Sequence, residues 1–189
     1  MNKMQPLTQP ELLAVLQAAK DENQRDHALL LICYSHAMRA NECGKLLVSD
    51  ISVKDWTVRV RRSKGSLDTT EKLMPHSNKL LDEKKTIEQW LRVKPDSPFM
   101  FPSRKAGVLT REYVSRLFKH YAEVTGLPAT KRGIHSLKHT LGQNLADRGT
   151  DIKTMRVIMG HKLITSTQRY FEVTQAAADS AKQAILACA

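Results

Sequence analysis

The chain has 189 residues, a length typical of one domain, and its hydrophobic content of 41% is sufficient for a globular core. Thirty Lys and Arg against nineteen Asp and Glu give a net charge of +11, which favours nucleic acid over an anionic membrane surface as the partner. Three cysteines without metal-ligand spacing argue against a disulfide framework or a metal centre, and the lack of a signal-like apolar run favours the cytoplasm.

Helical patterns dominate the beginning of the chain. Thr8 stands three residues before Glu11 and ahead of an apolar series, which predicts a capping box at the start of a helix. The apolar run 28–34 predicts a buried helical segment that ends near Arg39, and another short helix is predicted over 40–47.

The pattern then changes to an alternation of apolar and polar residues. Segments 51–53 and 56–61 have the period of half-buried strands, and Lys54–Asp55 is predicted to turn between them. A second turn is predicted at 64–66, followed by a third strand over 71–74. These segments predict a small three-stranded antiparallel sheet.

The helical period returns after the predicted sheet. Apolar residues at helical spacing predict helices over 80–91 and 113–121, with a loop over 95–107 between them. Further helical stretches are predicted over 136–148, 151–159, 164–170 and 174–188. The expected fold class is mostly α with a small antiparallel β-sheet (α+β), in a single domain spanning 1–189.

Two groups of polar residues stand where chemistry is possible, although each alone has an ordinary structural explanation. Arg39 directly follows a buried segment, and Glu42 could hold its guanidinium in a structural ion pair. His135, Lys138 and His139 fall near one face at the start of a helix. That arrangement fits a phosphate site as well as a solvated basic helix start.

Three more candidates are equally ambiguous when taken singly. Lys64 in a hairpin turn would normally be a solvated charge, and His161 after Gly160 would normally be a surface or capping residue. Tyr170 would normally be a half-buried core residue. The order of all these motifs along the chain is therefore more informative than any one of them.

Together the motifs resemble the signature of the tyrosine recombinases of the phage integrase type. That family has an Arg after a buried helix with an acidic residue three positions later, a Lys on a β-turn, His-x-x-Arg, Gly-His, and a Tyr nine residues after that His. The corresponding residues here are Arg39, Lys64, His135, Lys138, His161 and Tyr170. The resemblance extends from Thr8 to the end of the chain, and it implies the catalytic-domain fold of that family.

Lys138 departs from the family pattern, which has a second arginine at this position. Arg offers a planar fork to two phosphate oxygens, whereas Lys is a point charge. Some members of the family accept Lys or His there. The resemblance implies an enzyme, and it leaves open whether its activity is full, partial or conditional.

The resemblance also implies a reaction that needs neither ATP nor metal nor another cofactor. Arg39, Lys138 and His161 would contact the non-bridging oxygens of a phosphodiester, where negative charge develops. Tyr170 would attack in line, forming a 3′-phosphotyrosyl link and releasing a 5′-hydroxyl. A second 5′-hydroxyl could then reverse the reaction without an energy source.

Two proton transfers would accompany the cleavage. A phenol has an ordinary pKa of about 10, so Tyr170 benefits from a base, and the resemblance assigns that role to His135. Lys64 on its turn would protonate the departing 5′-oxygen. The chemistry of these residues is consistent with the roles but does not single them out.

Basic side chains predict a surface that binds the phosphates of double-stranded DNA. Those assigned to it are Arg59, Arg61, Arg62, Lys105, Arg116, Lys119, Lys131 and Arg132. Each alone could be a solvated charge, but together they predict strongly salt-dependent binding. The resemblance implies that the helix containing Arg116 could enter the major groove.

Other interpretations share the same residues. A protein that has lost turnover through Lys138 would be a DNA-binding protein on this fold, and a type IB topoisomerase would use the Tyr170 nucleophile without a particular site. Family members usually carry an amino-terminal DNA-clamping domain, which is expected to be absent from 1–189. That absence fits either an excised fragment or a small inversion recombinase that switches fimbrial promoters. The expected assembly is a homotetramer on DNA and a monomer in isolation, in the cytoplasm with the nucleoid.

Overall fold

The computed structural model of the protein describes residues 4–63 and 66–171. The helices in these ranges are α1 (Gln9–Glu22), α2 (Gln24–Ser35), α3 (Ala40–Gly44), α4 (Glu83–Val93), α5 (Arg111–Val124), α6 (His135–Asp147), α7 (Ile152–Ile158) and α8 (Thr165–Gln168). The strands are β1 (Ile51–Ser52), β2 (Thr57–Val60) and β3 (Thr69–Lys72), paired antiparallel in the order β1-β2-β3. The predicted fold class is confirmed. The helix predicted over 174–188 lies outside the described residues.

The capping box predicted for the first helix is present. The backbone N–H of Thr8 donates to the Glu11 carboxylate at 2.7 Å, and the Thr8 hydroxyl accepts from the Glu11 N–H at 3.4 Å. Glu11 also accepts from the ammonium of Lys131 at 2.7 Å, which ties the start of α1 to the segment that precedes α6. One local sequence motif thus fixes both a helix start and a long-range contact.

Helix α2 is the centre of the core, because apolar residues surround it on all sides. It packs against α1, α4 and α6, and its residues from Asp26 to Cys33 are all buried. After α2 the chain reverses at Ala37, a buried residue with a φ of 47°. This left-handed conformation is costly for a residue with a Cβ, and it delivers Arg39 to the edge of the core.

The starts of α4 and β3 are among the boundaries that differ from the predicted ones. The side chain of Asp82 accepts the N–H of Lys85 at 2.9 Å, so α4 begins at Glu83 and the segment 80–81 precedes it. The third strand pairs Thr69 with Val60, two residues earlier than the prediction of 71–74. Both errors concern the ends of elements, and the elements themselves are those predicted.

A small apolar cluster separate from the main core attaches the last part of the described chain to α6. Its buried members are Ala37, Met155, Met159 and Tyr170, packed against partly buried Leu141, Leu145, Ala146 and Phe171. The cluster places the end of α7 and the segment carrying Tyr170 beside the reversal that follows α2. In the described part of the chain, no helix is long and apolar enough to cross a lipid bilayer.

Candidate active site

A cavity of about 760 Å³ opens between the start of α3, the first turns of α6 and the segment around α8. Its walls include five of the six residues predicted to be catalytic, namely Arg39, His135, Lys138, His161 and Tyr170. The sixth, Lys64, lies outside the described residues. Residues far apart in the sequence are therefore brought to one concave surface, although the role of each remains a prediction.

Arg39 is held at the cavity wall by Glu42. The Arg39 backbone N–H and its Nη1 each donate to the Glu42 carboxylate at 2.8 Å, and Nη1 also donates to the Ser66 hydroxyl at 3.1 Å. Burial alone would raise the pKa of Glu42, but hydrogen bonds from the Ser63 and Arg39 backbones outweigh it and lower the pKa. The buried carboxylate thus stays charged, and the Arg39 side chain keeps 31% of its surface exposed for an anion.

Lys138 sits deeper than Arg39 at the back of the cavity. Its ammonium donates to the carbonyl of Ala37 at 2.9 Å and to that of Met159 at 3.1 Å. Burial, together with the positive charges of Arg62 and Arg39, lowers the pKa of Lys138 to about 7. An ammonium has three donors, so one remains for a phosphate oxygen.

His161 follows the sharp turn made by Gly160, whose φ is 62°. Burial and then the charges of Lys138 and Arg39 lower the pKa of His161 to about 4, so its ring is neutral near neutral pH. The buried hydroxyl of Thr167 lies 3.0 Å from His161 Nδ1 and can donate to it. That hydrogen bond would leave the proton on Nε2, the tautomer that can donate to a phosphate.

The ring of Tyr170 packs closely against α6 at Gly142. A Cβ at position 142 would lie 2.5 Å from two carbons of the ring, so only glycine leaves room for it. The hydroxyl of Tyr170 lies 3.2 Å from His139 Nδ1. Burial raises the pKa of Tyr170, so the phenol is protonated at neutral pH and needs a proton acceptor before it can attack.

We expect Gly142→Ala to expel the Tyr170 ring from its position or to strain the packing by about 1–3 kcal/mol. Either outcome should slow any reaction of Tyr170 while leaving DNA affinity unchanged. The rate of adduct formation and the unfolding midpoint in urea measure the two effects. Gly107→Ala is the matched control, because a Cβ there meets its nearest neighbour at 3.7 Å. Equal rates in both variants would contradict the prediction.

His135 occupies the first turn of α6, four residues before His139. Burial, followed by the charges of Arg111 and Arg39, lowers the pKa of His135. A neutral imidazole can accept a proton, which is the role that the resemblance implies for His135. No hydrogen bond joins it to Tyr170 within the described residues.

Some residues in or beside the cavity carry no signal that sequence alone could show. Gly142 and Thr167 act through contacts with Tyr170 and His161 that depend on the packing of α6 and α8. Arg169 also lines the cavity, and its charge lowers the pKa of His161. In the sequence, the one indication that Arg169 belongs to the site is its position directly before Tyr170.

The residues predicted to bind DNA have different environments. Lys105, Arg116 and Lys119 are exposed, and the side chains of Arg59 and Arg61 keep 59% and 51% of their surface exposed. Lys131 is bound to Glu11, and Arg132 is bound to Glu123 and to the Leu127 carbonyl. A cleft of about 270 Å³ joins Arg116, Lys119 and Arg132 to His135, so this part of the basic surface reaches the cavity.

Arg62, which is also predicted to contact DNA, is buried in this structure. Its side chain is 0% exposed and donates to the carbonyls of His36 and Ala37 at 2.8 and 3.0 Å. The guanidinium also pairs with Glu71 at 3.3 Å and with Glu42 at 3.6 Å. A run of basic residues at the end of a strand does not indicate which side chain is buried. Here Arg62 is buried because the carbonyls and carboxylates that bind its guanidinium lie inside the protein.

Comparison with known proteins agrees with this geometry. The sequence profile described as the Phage integrase family matches residues 5–177. The chain belongs to the phage integrase family. A crystal structure of XerA recombinase superimposes with a TM-score of 0.77 at 20% identity, covering 97% of this chain and 65% of that one. XerH recombinase bound to its difH substrate gives a TM-score of 0.76 at 19% identity, covering 95% of this chain and 54% of that one.

Curated relatives of this phage integrase domain include recombinases and a fimbrial regulator. Type 1 fimbriae regulatory protein FimE of Escherichia coli K12 is 29% identical over 178 residues, which cover 90% of this chain and 86% of that protein. Tyrosine recombinase XerA of Pyrococcus horikoshii is 31% identical over 172 residues, which cover 89% of this chain and 56% of that protein. The chain thus spans little more than half the length of XerA. Its class is that of the tyrosine-type site-specific recombinases, and it corresponds to their catalytic domain.

Proposed function

We propose that the chain cleaves and rejoins double-stranded DNA through a covalent bond between Tyr170 and a 3′-phosphate. The observation that carries the proposal is the convergence of Tyr170 with Arg39, Lys138 and His161 in one cavity. A single nucleophile beside three nitrogen donors suits a phosphodiester, whose non-bridging oxygens accept hydrogen bonds and gain charge during transfer.

The proposed reaction uses the fixed positive groups first. Arg39 and Lys138 bind the two non-bridging oxygens, and His161 donates a third hydrogen bond from Nε2. Tyr170 Oη attacks phosphorus, and the bond to the 5′-oxygen breaks. Lys64 supplies a proton to that oxygen, and the free 5′-hydroxyl or that of another strand later reverses the steps.

The surface that would hold the DNA is basic and continuous with the cavity. Arg116, Lys119 and Arg132 lie in the cleft that leads to His135, and Arg59 and Arg61 lie near the tip of the β2–β3 hairpin. XerH was solved with its difH substrate, and the same fold supports a similar placement of DNA here. We propose that Lys105 and Lys131 add phosphate contacts at the edges of this surface, and that the working form is a homotetramer on DNA and a monomer without it.

A covalent adduct is the direct test of this function. A pool of nicked duplexes with randomised sequence, in which the released 5′-fragment diffuses away, is incubated with the protein and resolved under denaturing conditions. We expect a protein–DNA adduct that is absent with Tyr170→Phe, and sequencing the trapped DNA gives the preferred site. If the protein binds the pool and forms no adduct, the proposed function is wrong.

Two other outcomes distinguish the second candidates. Lys138 stands where the family has an arginine and has one donor left beside its two backbone carbonyls, so the first of these candidates is a weakened enzyme that acts chiefly by binding DNA. Tight binding without an adduct would support that interpretation. Adducts spread evenly over all sequences, with relaxation of supercoiled plasmid, would instead support a type IB topoisomerase.

Binding is expected to depend steeply on salt. With about six phosphate contacts, the logarithm of the binding constant should fall with the logarithm of salt concentration with a slope of about −5. Arg116→Gln should reduce the slope by about 1, because one contact is lost. Arg92→Gln is the control, since Arg92 is exposed on α4 and pairs with Glu88 away from this surface. An unchanged slope in Arg116→Gln would remove that residue from the interface.

A further inference from the structure

The Tyr170 hydroxyl meets a histidine of α6 to which the sequence resemblance gives no role. His139 Nδ1 lies 3.2 Å from Tyr170 Oη, and the two ring centroids are 6.1 Å apart with an interplanar angle of 52°. Within residues 4–63 and 66–171, the hydrogen bond of this hydroxyl goes to His139 and none goes to His135. His139 is therefore a titratable group within hydrogen-bond distance of the reacting atom.

Helix α6 builds the surroundings of Tyr170 from one face. His139 and Gly142 are three residues apart and so lie next to each other on the helix. Gly142 makes room for the phenol ring, while His139 meets its hydroxyl. Both His139 and Tyr170 line the cavity, so the pair faces the space in which the phosphate would bind.

We propose that His139 holds the Tyr170 hydroxyl and accepts its proton as the tyrosine attacks the phosphodiester. The inference rests on the proposed function and deepens it, because it names the base of the same site. The O–H bond of Tyr170 breaks, and its proton goes to Nδ1 of His139. An electron pair of Oη forms the bond to phosphorus, the bond to the 5′-oxygen breaks, and the proposed acid of the site, Lys64, protonates that oxygen. In the reverse step His139 returns the proton to Oη.

The test compares His139→Asn with His135→Asn on the duplex recovered from the randomised pool. Asparagine keeps a polar atom near the place of Nδ1 but cannot accept a proton at neutral pH. We expect His139→Asn to slow single-turnover adduct formation about 10²-fold, the lower range for a general base, with DNA affinity within twofold of wild type. In the wild-type protein the rate should rise with pH as the base loses its proton, and this rise should be absent in His139→Asn. His76→Asn, at an exposed histidine outside the cavity, is the matched control.

A rescue separates proton acceptance from packing. Replacing Tyr170 by 2,3,5-trifluorotyrosine lowers the pKa of the phenol. The more acidic phenol depends less on a base, so the replacement should restore most of the rate lost in His139→Asn. A purely structural defect would not respond. A nitrogen NMR spectrum of histidine-labelled protein without DNA gives an independent readout, in which the neutral ring of His139 should carry its proton on Nε2 and change on Tyr170→Phe.

Three results would overturn the assignment. The first is a wild-type rate and pH profile for His139→Asn, and the second is loss of the pH-dependent limb in His135→Asn alone. The third is a neutral His139 ring protonated on Nδ1, since that nitrogen could not accept a proton from Tyr170. Failure of wild-type protein to form any adduct would instead contradict the proposed function, and the NMR measurement would still decide the contact.

Discussion

Lys138→Ala should lower the rate of adduct formation by about 10²–10³-fold, the usual loss when one transition-state donor is removed. The ammonium is fixed by the carbonyls of Ala37 and Met159, so its position at the back of the cavity is set before DNA binds. A donor held in this way costs little reorganisation when charge develops on the phosphate. DNA affinity should change much less than the rate, because many other phosphate contacts remain.

The ammonium should also make DNA binding depend on pH. With a pKa of about 7 in the free protein, Lys138 loses its charge as the pH rises through neutrality. A phosphodiester beside it favours the charged form and raises that pKa, so binding takes up a proton. The affinity should therefore weaken above about pH 7. Burial and then the charges of Arg62 and Arg39 lower the pKa of Lys138 in the free protein, and Glu42 opposes them.

Lys138→Arg provides the comparison for both effects. A guanidinium stays charged at all relevant pH values and offers a planar fork, so the variant should keep or raise the cleavage rate. Its DNA binding should take up no proton above neutral pH, which calorimetry in two buffers of different ionisation enthalpy can measure. If Lys138→Ala and Lys138→Arg both behave like wild type, Lys138 lies outside the reaction.

The elements of the fold could be predicted because their signals are local. The Thr8 capping box, the alternating strands and the periodic apolar residues all act over a few positions. Among the described residues, the structure places each predicted element within a few residues of its prediction. The grouping of Arg39, His135, Lys138, His161 and Tyr170 could be predicted only through the family resemblance. No local rule brings residues this far apart into one cavity.

The sequence could not show which groups each polar side chain contacts, because tertiary packing determines those contacts. Lys138 was predicted to face phosphate, and the structure adds that two backbone carbonyls share its ammonium. The contact between His139 and Tyr170 depends on how a small apolar cluster seats the last described residues on α6. The burial of Arg62 has the same cause, since the partners of its guanidinium come from separate segments of the chain.

Arg62→Met should destabilise the protein by about 3–5 kcal/mol, the usual cost of removing one partner from a buried ionic network. The guanidinium satisfies the carbonyls of His36 and Ala37 and pairs with Glu71 and Glu42. Methionine can fill part of the volume, but it removes the charge that pairs with Glu71 and Glu42 and one donor from each of the two carbonyls. Urea unfolding followed by circular dichroism measures the change.

Arg62→Met should also disturb the positions of Arg39 and Lys138 in the active site, because these residues share hydrogen-bond partners with Arg62. The Ala37 carbonyl accepts from both Arg62 and Lys138, and Glu42 pairs with Arg62 while holding Arg39. Arg59→Met is the matched control, because its ion pair with Asp68 spans 3.7 Å on the surface and should contribute less than about 1 kcal/mol. Equal stabilities of the two variants would mean that the buried network contributes little. A destabilised Arg62→Met that still forms the adduct at the wild-type rate below its unfolding transition would confine Arg62 to folding, with no part in positioning Arg39 or Lys138.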